Sequence, residues 1–343
     1  MLDDLKLIHN RDASDALGIA QKQWKQYQED YDFKAQPIGS VDNIIVAGMG
    51  GSGLAAKAFV TWPGVGKPFE VVQGYDLPGY VSENTLLIVS SYSGNTEETV
   101  SVFKKALNSQ NKPTIVVVAS GGELEKMANQ NNLPLLKLPG GLQPRMTFGY
   151  QLRGLCEIFK AFGLIKDKIP ELNSASSWLK DEIESWIPTE PTNSNLAKQL
   201  ALEVIGKSAV IYSSSTFFPV AYKWKISFNE NAKNVAWCNQ YSEFNHNEFV
   251  GWTSHPTDKP YTVIDLRSDL DNDQIKKRFV ISAKLLSGKR PAPEVVELKG
   301  KTKLEQMLWG VALGDFVSLY TAILNGLDPT PVDLIEKLKL ELA

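Results

Sequence analysis

Two short runs of glycine and hydroxyl residues carry the first readable chemistry. Gly48-Met49-Gly50-Gly51-Ser52-Gly53 lies between the apolar run NIIVAGM and the helical stretch LAAKAFV. Glycines in such a turn let the backbone approach a ligand, and a helix N-terminus offers its N–H groups to negative charge. The spacing G-x-G-x-x-G is also the dinucleotide fingerprint, which asks for an acidic residue about twenty positions on. Asp76, 23 residues after Gly53, is a late candidate for that role. A tight turn that binds nothing is the plain alternative. The second run, Ser90-Ser91-Tyr92-Ser93-Gly94-Asn95-Thr96, again joins an apolar strand to a helix and sets Ser91, Ser93 and Thr96 close together. A phosphomonoester, with three acceptor oxygens and nearly two negative charges, suits hydroxyls and amides at a positive helix end. Helix capping would ask for one such residue. Gly50, Gly51, Ser52, Ser91, Ser93 and Thr96 are therefore the candidate phosphate-binding set.

Four further residues stand out by type and context. Glu230 sits between Asn229 and Asn231, both poor choices inside a helix. Arg145 follows Pro144 at a helix start, where a cation is mildly unfavourable for the helix dipole. His246 is one of three histidines and lies in SEFNHNEF, flanked by Phe244, Phe249 and Trp252, aromatic company that suits an interface. Lys339 and Lys337 share the last helix, where lysines are expected for dipole reasons alone. For zinc, several histidine and carboxylate ligands would have to converge; only His246 has carboxylates nearby, Glu243 and Glu248. No metal and no cofactor is expected.

These residues need a scaffold, and the patterning supplies one. Apolar runs NIIVAGM, FEVVQGY, TLLIVSSYS, PTIVVVAS and LPLLKLP alternate with helical stretches, after an amphipathic helix expected over 12–32 and a turn at Pro37–Gly39. Such alternation with short loops predicts a doubly wound parallel sheet, ending near Pro139-Gly140-Gly141, with one long helix over 144–163. The Pro- and Ser-rich stretch 167–195 reads as a helix broken at Pro188 and then a linker. Alternation restarts at SAVIYSSS, and two helices at 302–325 and 332–342 close the chain. Domains are expected at 1–165 and 197–343, joined by a helical linker over 166–196.

Composition narrows the class. The chain has 343 residues, with 36 Lys plus Arg against 39 Asp plus Glu for a net charge of −3, which suggests no nucleic-acid groove. Cys156 and Cys238 form no metal or disulfide spacing and read as structural thiols. The N-terminus lacks an apolar leader, and no run of about 18 apolar residues is present, so neither a secretory signal nor a membrane span is expected. A cytoplasmic protein is the resulting expectation.

GMGGSG followed by SYSGNTEET resembles the sugar isomerase (SIS) domain. Gln143-Pro144-Arg145, the NENAK segment 229–233, Asn245-His246-Asn247-Glu248 and Gly326-Leu327-Asp328-Pro329 resemble the bifunctional phosphoglucose/phosphomannose isomerases, in that family's order and spacing. The resemblance implies two flavodoxin-like parallel-sheet αβα sandwich domains with extra N- and C-terminal helices. It implies interconversion of glucose 6-phosphate, and of mannose 6-phosphate, with fructose 6-phosphate through a cis-enediolate. Glu230 resembles the base that carries the proton between C2 and C1, His246 the ring-opening residue, Arg145 the cation near the enediolate and Lys339 a lysine contacting the ring. A two-residue slip would select Lys337, and the same slip leaves Thr330 and Val332 both open as the residue facing C2. The family further implies a homodimer with His246 supplied in trans and a sugar phosphate as small-molecule substrate; with the charge balance and hydropathy above, no nucleic-acid or membrane partner is expected. A non-catalytic phosphosugar sensor, an aminosugar-phosphate isomerase and an NAD-dependent oxidoreductase are the alternatives.

Overall fold

In the computed structural model, which describes residues 1–34, 38–254 and 260–342, the N-terminal stretch is not the single helix expected over 12–32. Two short helices form instead, α1 (Leu5–Arg11) and α2 (Ala16–Gln21), followed by a 3-10 turn at Gln23–Gln28. Aspartates cause the break. The Asp12 carboxylate accepts from the amides of Ala16 (2.8 Å) and Leu17 (2.9 Å), and Asp15, at φ 54°, accepts from Gly18. Capping side chains start a new helix where the apolar period alone would continue the old one. The turn read at Pro37–Gly39 falls partly outside the described residues.

Contacts divide the chain into two units, Gln23–Ser177, and Met1–Lys22 with Trp178–Ala343. In the first, β1 (Asn43–Ala47), α3 (Gly50–Thr61), β2 (Phe69–Val72), β3 (Thr85–Ser90), α4 (Glu97–Leu107), β4 (Thr114–Ala119), α5 (Gly122–Gln130) and β5 (Leu135–Lys137) alternate as expected. The strands pair in parallel in the order β2-β1-β3-β4-β5. β1 and β3 are buried almost throughout, the pattern of strands covered on both faces. Their register, Ile44 beside Leu86 and Val46 beside Ile88, brings the turns after both strands out side by side. The strand order reverses at that pair, and open α/β sheets bind ligands at such a reversal, beyond the carboxyl ends of the strands. The helix expected over 144–163 is a 3-10 turn at Pro144–Met146 followed by α6 (Phe148–Ala161). α7 (Ile169–Ile183) runs on past the end of this unit.

The second unit holds α8 (Leu196–Val204), β6 (Ser208–Ser213), α9 (Phe218–Glu230), β7 (Ala236–Gln240), α10 (Tyr241–Phe244) and α11 (Glu248–Gly251). β8 (Tyr261–Arg267), α12 (Asp273–Leu285), β9 (Glu294–Glu297), α13 (Lys303–Leu324) and α14 (Asp333–Leu342) complete it. This sheet is also parallel, in the order β7-β6-β8-β9. Parallel crossovers are right-handed. The chain steps outward from β6 to β7 and then back across to β8, so α9 covers one face and α10 and α11 the other. Val210, Tyr212 and Val263 accordingly point into a cluster with Tyr241, Phe244, Trp252, Phe279 and Leu286.

α13 is strongly apolar. By length and composition it is the one described helix that could cross a membrane, with a mean hydropathy of 1.6 over 18 residues. That window is 94% buried, and core packing accounts for its composition.

Candidate active site

The two glycine and serine turns of the first unit are built into each other. Ser52 Oγ accepts from the Tyr92 amide at 3.0 Å, and Ser91 Oγ lies 2.8 Å from Thr96 Oγ1 while accepting from the Gly94 amide. Gly94 has φ 71°, and a Cβ there would lie 1.8 Å from the Gly121 carbonyl, so only glycine fits. Asn95 Oδ1 accepts from the Glu123 amide at 2.9 Å and ties the same turn to the start of α5.

Capping does not account for the hydroxyls. Thr96 occupies the N-cap of α4, yet its side chain makes no capping bond, and Met49 at the N-cap of α3 makes none either. Two helix N-termini thus converge on the carboxyl edge of β1 and β3 without an N-cap side chain on their amides. Ser91 is buried and braces the turn, Ser93 is exposed, and Thr96 is half-buried.

Arg145 belongs to this cluster. A Cβ on Gly51 would meet the Pro144 carbonyl oxygen at 2.6 Å and the Arg145 amide at 3.1 Å, so the turn at Pro144–Met146 lies against the start of α3. The Arg145 side chain is buried, so its planar guanidinium is held in place rather than free to sweep through solvent. Gly50, Gly51, Ser52, Ser91, Ser93, Thr96 and Arg145 are therefore brought together. Asp76, needed by the dinucleotide reading, is exposed and paired with Lys105. Replacing Ser93 and Thr96 together by Ala should raise KM for a phosphorylated substrate about 10²- to 10⁴-fold, because hydrogen bonds to a charged group contribute roughly 1.5–3 kcal/mol each. Initial rates against substrate concentration measure it; an unchanged KM would move the phosphate elsewhere.

Glu230 belongs to the other unit, as the last residue of α9, and is half-buried. The asparagines beside it are explained. Asn229 Oδ1 accepts from the Ala236 amide at 3.0 Å, and Asn231, the C-cap, donates from Nδ2 to Ser318 Oγ at 2.9 Å. Lys233 turns the chain with φ 50°, and its ammonium donates to the carbonyls of Asn231 (3.2 Å), Asp328 (2.8 Å) and Pro329 (3.0 Å). The NENAK segment and the Gly-Leu-Asp-Pro loop, far apart in sequence, are thus fastened together beside Glu230. Nothing in the composition around Lys233 signals that role. Thr330 and Val332 follow the loop, and both are half-buried.

His246 is exposed between α10 and α11. Its segment rests on a buried polar group: Tyr241 donates to Asp265, Arg290 reaches the Tyr241 hydroxyl, and the guanidinium lies 5.4–5.7 Å from the rings of Tyr212, Phe244 and Trp252. Burial pushes the Asp265 carboxyl up to about 6, against the pull of Arg290 and Arg267. Glu248 accepts from Tyr212 and Asn239 and so braces the segment. Glu230 closes α9 ahead of the start of β7, whereas His246 follows α10 beyond the carboxyl end of that strand. Lys339 is exposed on α14 and paired with Glu336 at 2.7 Å; Lys337 is exposed as well. Glu243 and His246 do stand at a Glu-x-x-His spacing. Among the described residues, however, no three His, Cys, Asp or Glu side chains are grouped as a metal site would require.

Comparison with known proteins adds independent findings. Residues 38–136 match the SIS domain, and residues 193–342 match the bacterial phospho-glucose isomerase C-terminal SIS domain. A bifunctional phosphoglucose/phosphomannose isomerase from Thermoplasma volcanium is 35% identical over 90% of this chain and 94% of its own. Its counterpart from Caldicellulosiruptor bescii is 35% identical over 88% of this chain and 90% of its own. Among solved structures, a glucose-6-phosphate isomerase like protein from Thermus thermophilus superposes with a TM-score of 0.65 at 18% identity, covering 97% of this chain and 99% of that one. That likeness agrees with the two parallel-sheet α/β domains described above.

Proposed function

This chain belongs to the bifunctional phosphoglucose/phosphomannose isomerase family, and we propose that it interconverts glucose 6-phosphate and mannose 6-phosphate with fructose 6-phosphate. The observation that carries this reading is the pair of helix N-termini without side-chain caps, with three hydroxyls and a buried arginine, at the strand-order reversal of the first sheet. Such an arrangement suits a phosphomonoester.

Isomerisation moves a carbonyl between C1 and C2. The ring opens, a proton leaves the carbon beside the carbonyl, and it returns to the neighbouring carbon. Glu230 takes and returns that proton. His246 serves ring opening, as the imidazole that passes a proton at the ring oxygen. Arg145 stabilises the enediolate charge. Lys339, or Lys337 two residues before it, contacts the sugar hydroxyls.

His246 comes from a second copy of the chain. Within one chain Glu230 stands before the start of β7 and His246 beyond its carboxyl end, an order that supports donation from a neighbouring chain. A two-fold dimer supplies the missing imidazole to each site. No metal takes part in this scheme.

Coupled assays with fructose 6-phosphate, glucose 6-phosphate and mannose 6-phosphate test the function, with glucosamine 6-phosphate as the aminosugar arm. Turnover of both hexose phosphates, unchanged after chelation and dialysis, is expected. Turnover of the aminosugar alone, or of none, would overturn the assignment, and loss of activity with chelator would overturn the metal-free scheme.

A further inference from the structure

α9 and α13 pack closely, and the contact is unusual for being polar along one line. At Gly310 and Gly314 the two helices approach so near that a Cβ on Gly314 would stand 2.4 Å from the Trp224 ring, and the Trp224 indole donates to the Gly310 carbonyl at 2.7 Å. Beside this apolar contact runs a stripe of α9 residues four apart: Lys223, Ser227 and Asn231. Lys223, fully buried, donates to Asp315 and, at 2.7 Å, to Ser227 Oγ. Ser227 Oγ donates in turn to Asp315 at 2.8 Å, and Asn231 Nδ2 donates to Ser318 Oγ at 2.9 Å.

Close helix packing does not require this stripe. Burying an ion pair incurs a desolvation cost that the pair's attraction only about offsets, and apolar side chains of similar volume are often as stable. Polar groups do, however, restrict the ways two helices can slide or rotate against each other, because a wrong register leaves them unpaired. Glu230 is the residue before Asn231, at the end of the stripe. We propose that the Lys223–Ser227–Asp315 and Asn231–Ser318 bonds fix the register of α9 on α13 and thereby hold the Glu230 carboxyl where it meets the substrate carbon. These five side chains act through Glu230 and are positioning residues. The inference rests on the reading of Glu230 as the base.

The test is the paired substitution Lys223→Met with Asp315→Leu, which removes both charges together. Its thermal midpoint should stay within a few degrees of wild type, and KM for fructose 6-phosphate within about twofold. The kcat should fall tenfold or more, since a displacement of about 1 Å at a reacting group costs up to ~10²-fold. In D₂O the deuterium incorporated per turnover should rise, because a displaced carboxyl returns the proton more slowly and exchanges more of it; a purely structural role would leave this ratio alone. Unchanged kcat and unchanged incorporation in the folded pair, beside an inactive Glu230→Gln enzyme, would overturn the positioning role and leave the base in place. A fully active Glu230→Gln enzyme would instead overturn the base. Should the pair fail to fold, Ser318→Ala removes the Asn231 anchor, together with the Ser318 hydroxyl's bond to the Asp315 carbonyl, leaves both charges in place and should show the same signature at about threefold; wild-type kcat and incorporation there would overturn the proposal.

Discussion

Glu230→Gln should bind fructose 6-phosphate with little change and lose about 10²–10⁴-fold or more in kcat, the usual worth of a positioned general base. Glutamine keeps the length and shape of the side chain at the end of α9 and cannot accept the proton. Its neighbours are held by bonds that do not involve the carboxyl, Asn229 to Ala236 and Asn231 to Ser318, so the local fold should survive. The wild-type enzyme, run in D₂O, should place deuterium on C1 or C2 of the product, because a carboxylate exchanges its proton with solvent while the enediolate lives. A hydride shift between the carbons would carry none. Kinetics and isotope content must agree: an active glutamine variant, or wild-type product free of deuterium, removes the role assigned to Glu230.

Mixing two dead proteins should restore activity if His246 is supplied by a second copy. Glu230→Gln and His246→Ala chains each lack one member of every site as homodimers. In a heterodimer, one of the two sites contains an intact Glu230 and an intact His246. Random reassortment of an equal mixture should therefore recover about a quarter of wild-type activity per chain. The effect is measured by co-unfolding and refolding the two variants, or by co-expressing them with distinct tags. An equal mixture that reassorts fully and remains inactive places both residues in the same chain's site and removes the donated histidine.

The elements that sequence patterning captures best are those whose burial is dictated by one strong signal. Continuous apolar runs become β1, β3 and β4 because strands covered on both faces tolerate nothing else. The glycine turn is legible because Gly48, Gly51 and Gly53 each stand where a Cβ would meet backbone. Harder to see are the features decided by contacts distant in sequence or by single side chains. The break between α1 and α2 depends on Asp12 and Asp15 reaching ahead to backbone amides. Asn229 and Asn231 read as misfits until their partners, Ala236 and Ser318, are in place. Lys233 reads as an ordinary charge, although its ammonium gathers carbonyls from a loop 95 residues on. Hydrophobic period says which face of α9 is covered; it says nothing of which polar atom on α13 waits there. Nor can it separate Lys339 from Lys337, since α14 buries neither.

The contact between Gly94 and Gly121 has a thermodynamic consequence for whatever anion enters the first unit. With the Ser91–Thr96 turn pressed onto backbone and stapled through Asn95 to Glu123, its loops have little conformational freedom left to lose. Ordering was completed when the chain folded, so an anion bound as proposed would meet a turn already preorganised, and association would lose less entropy than on a loop that had to close.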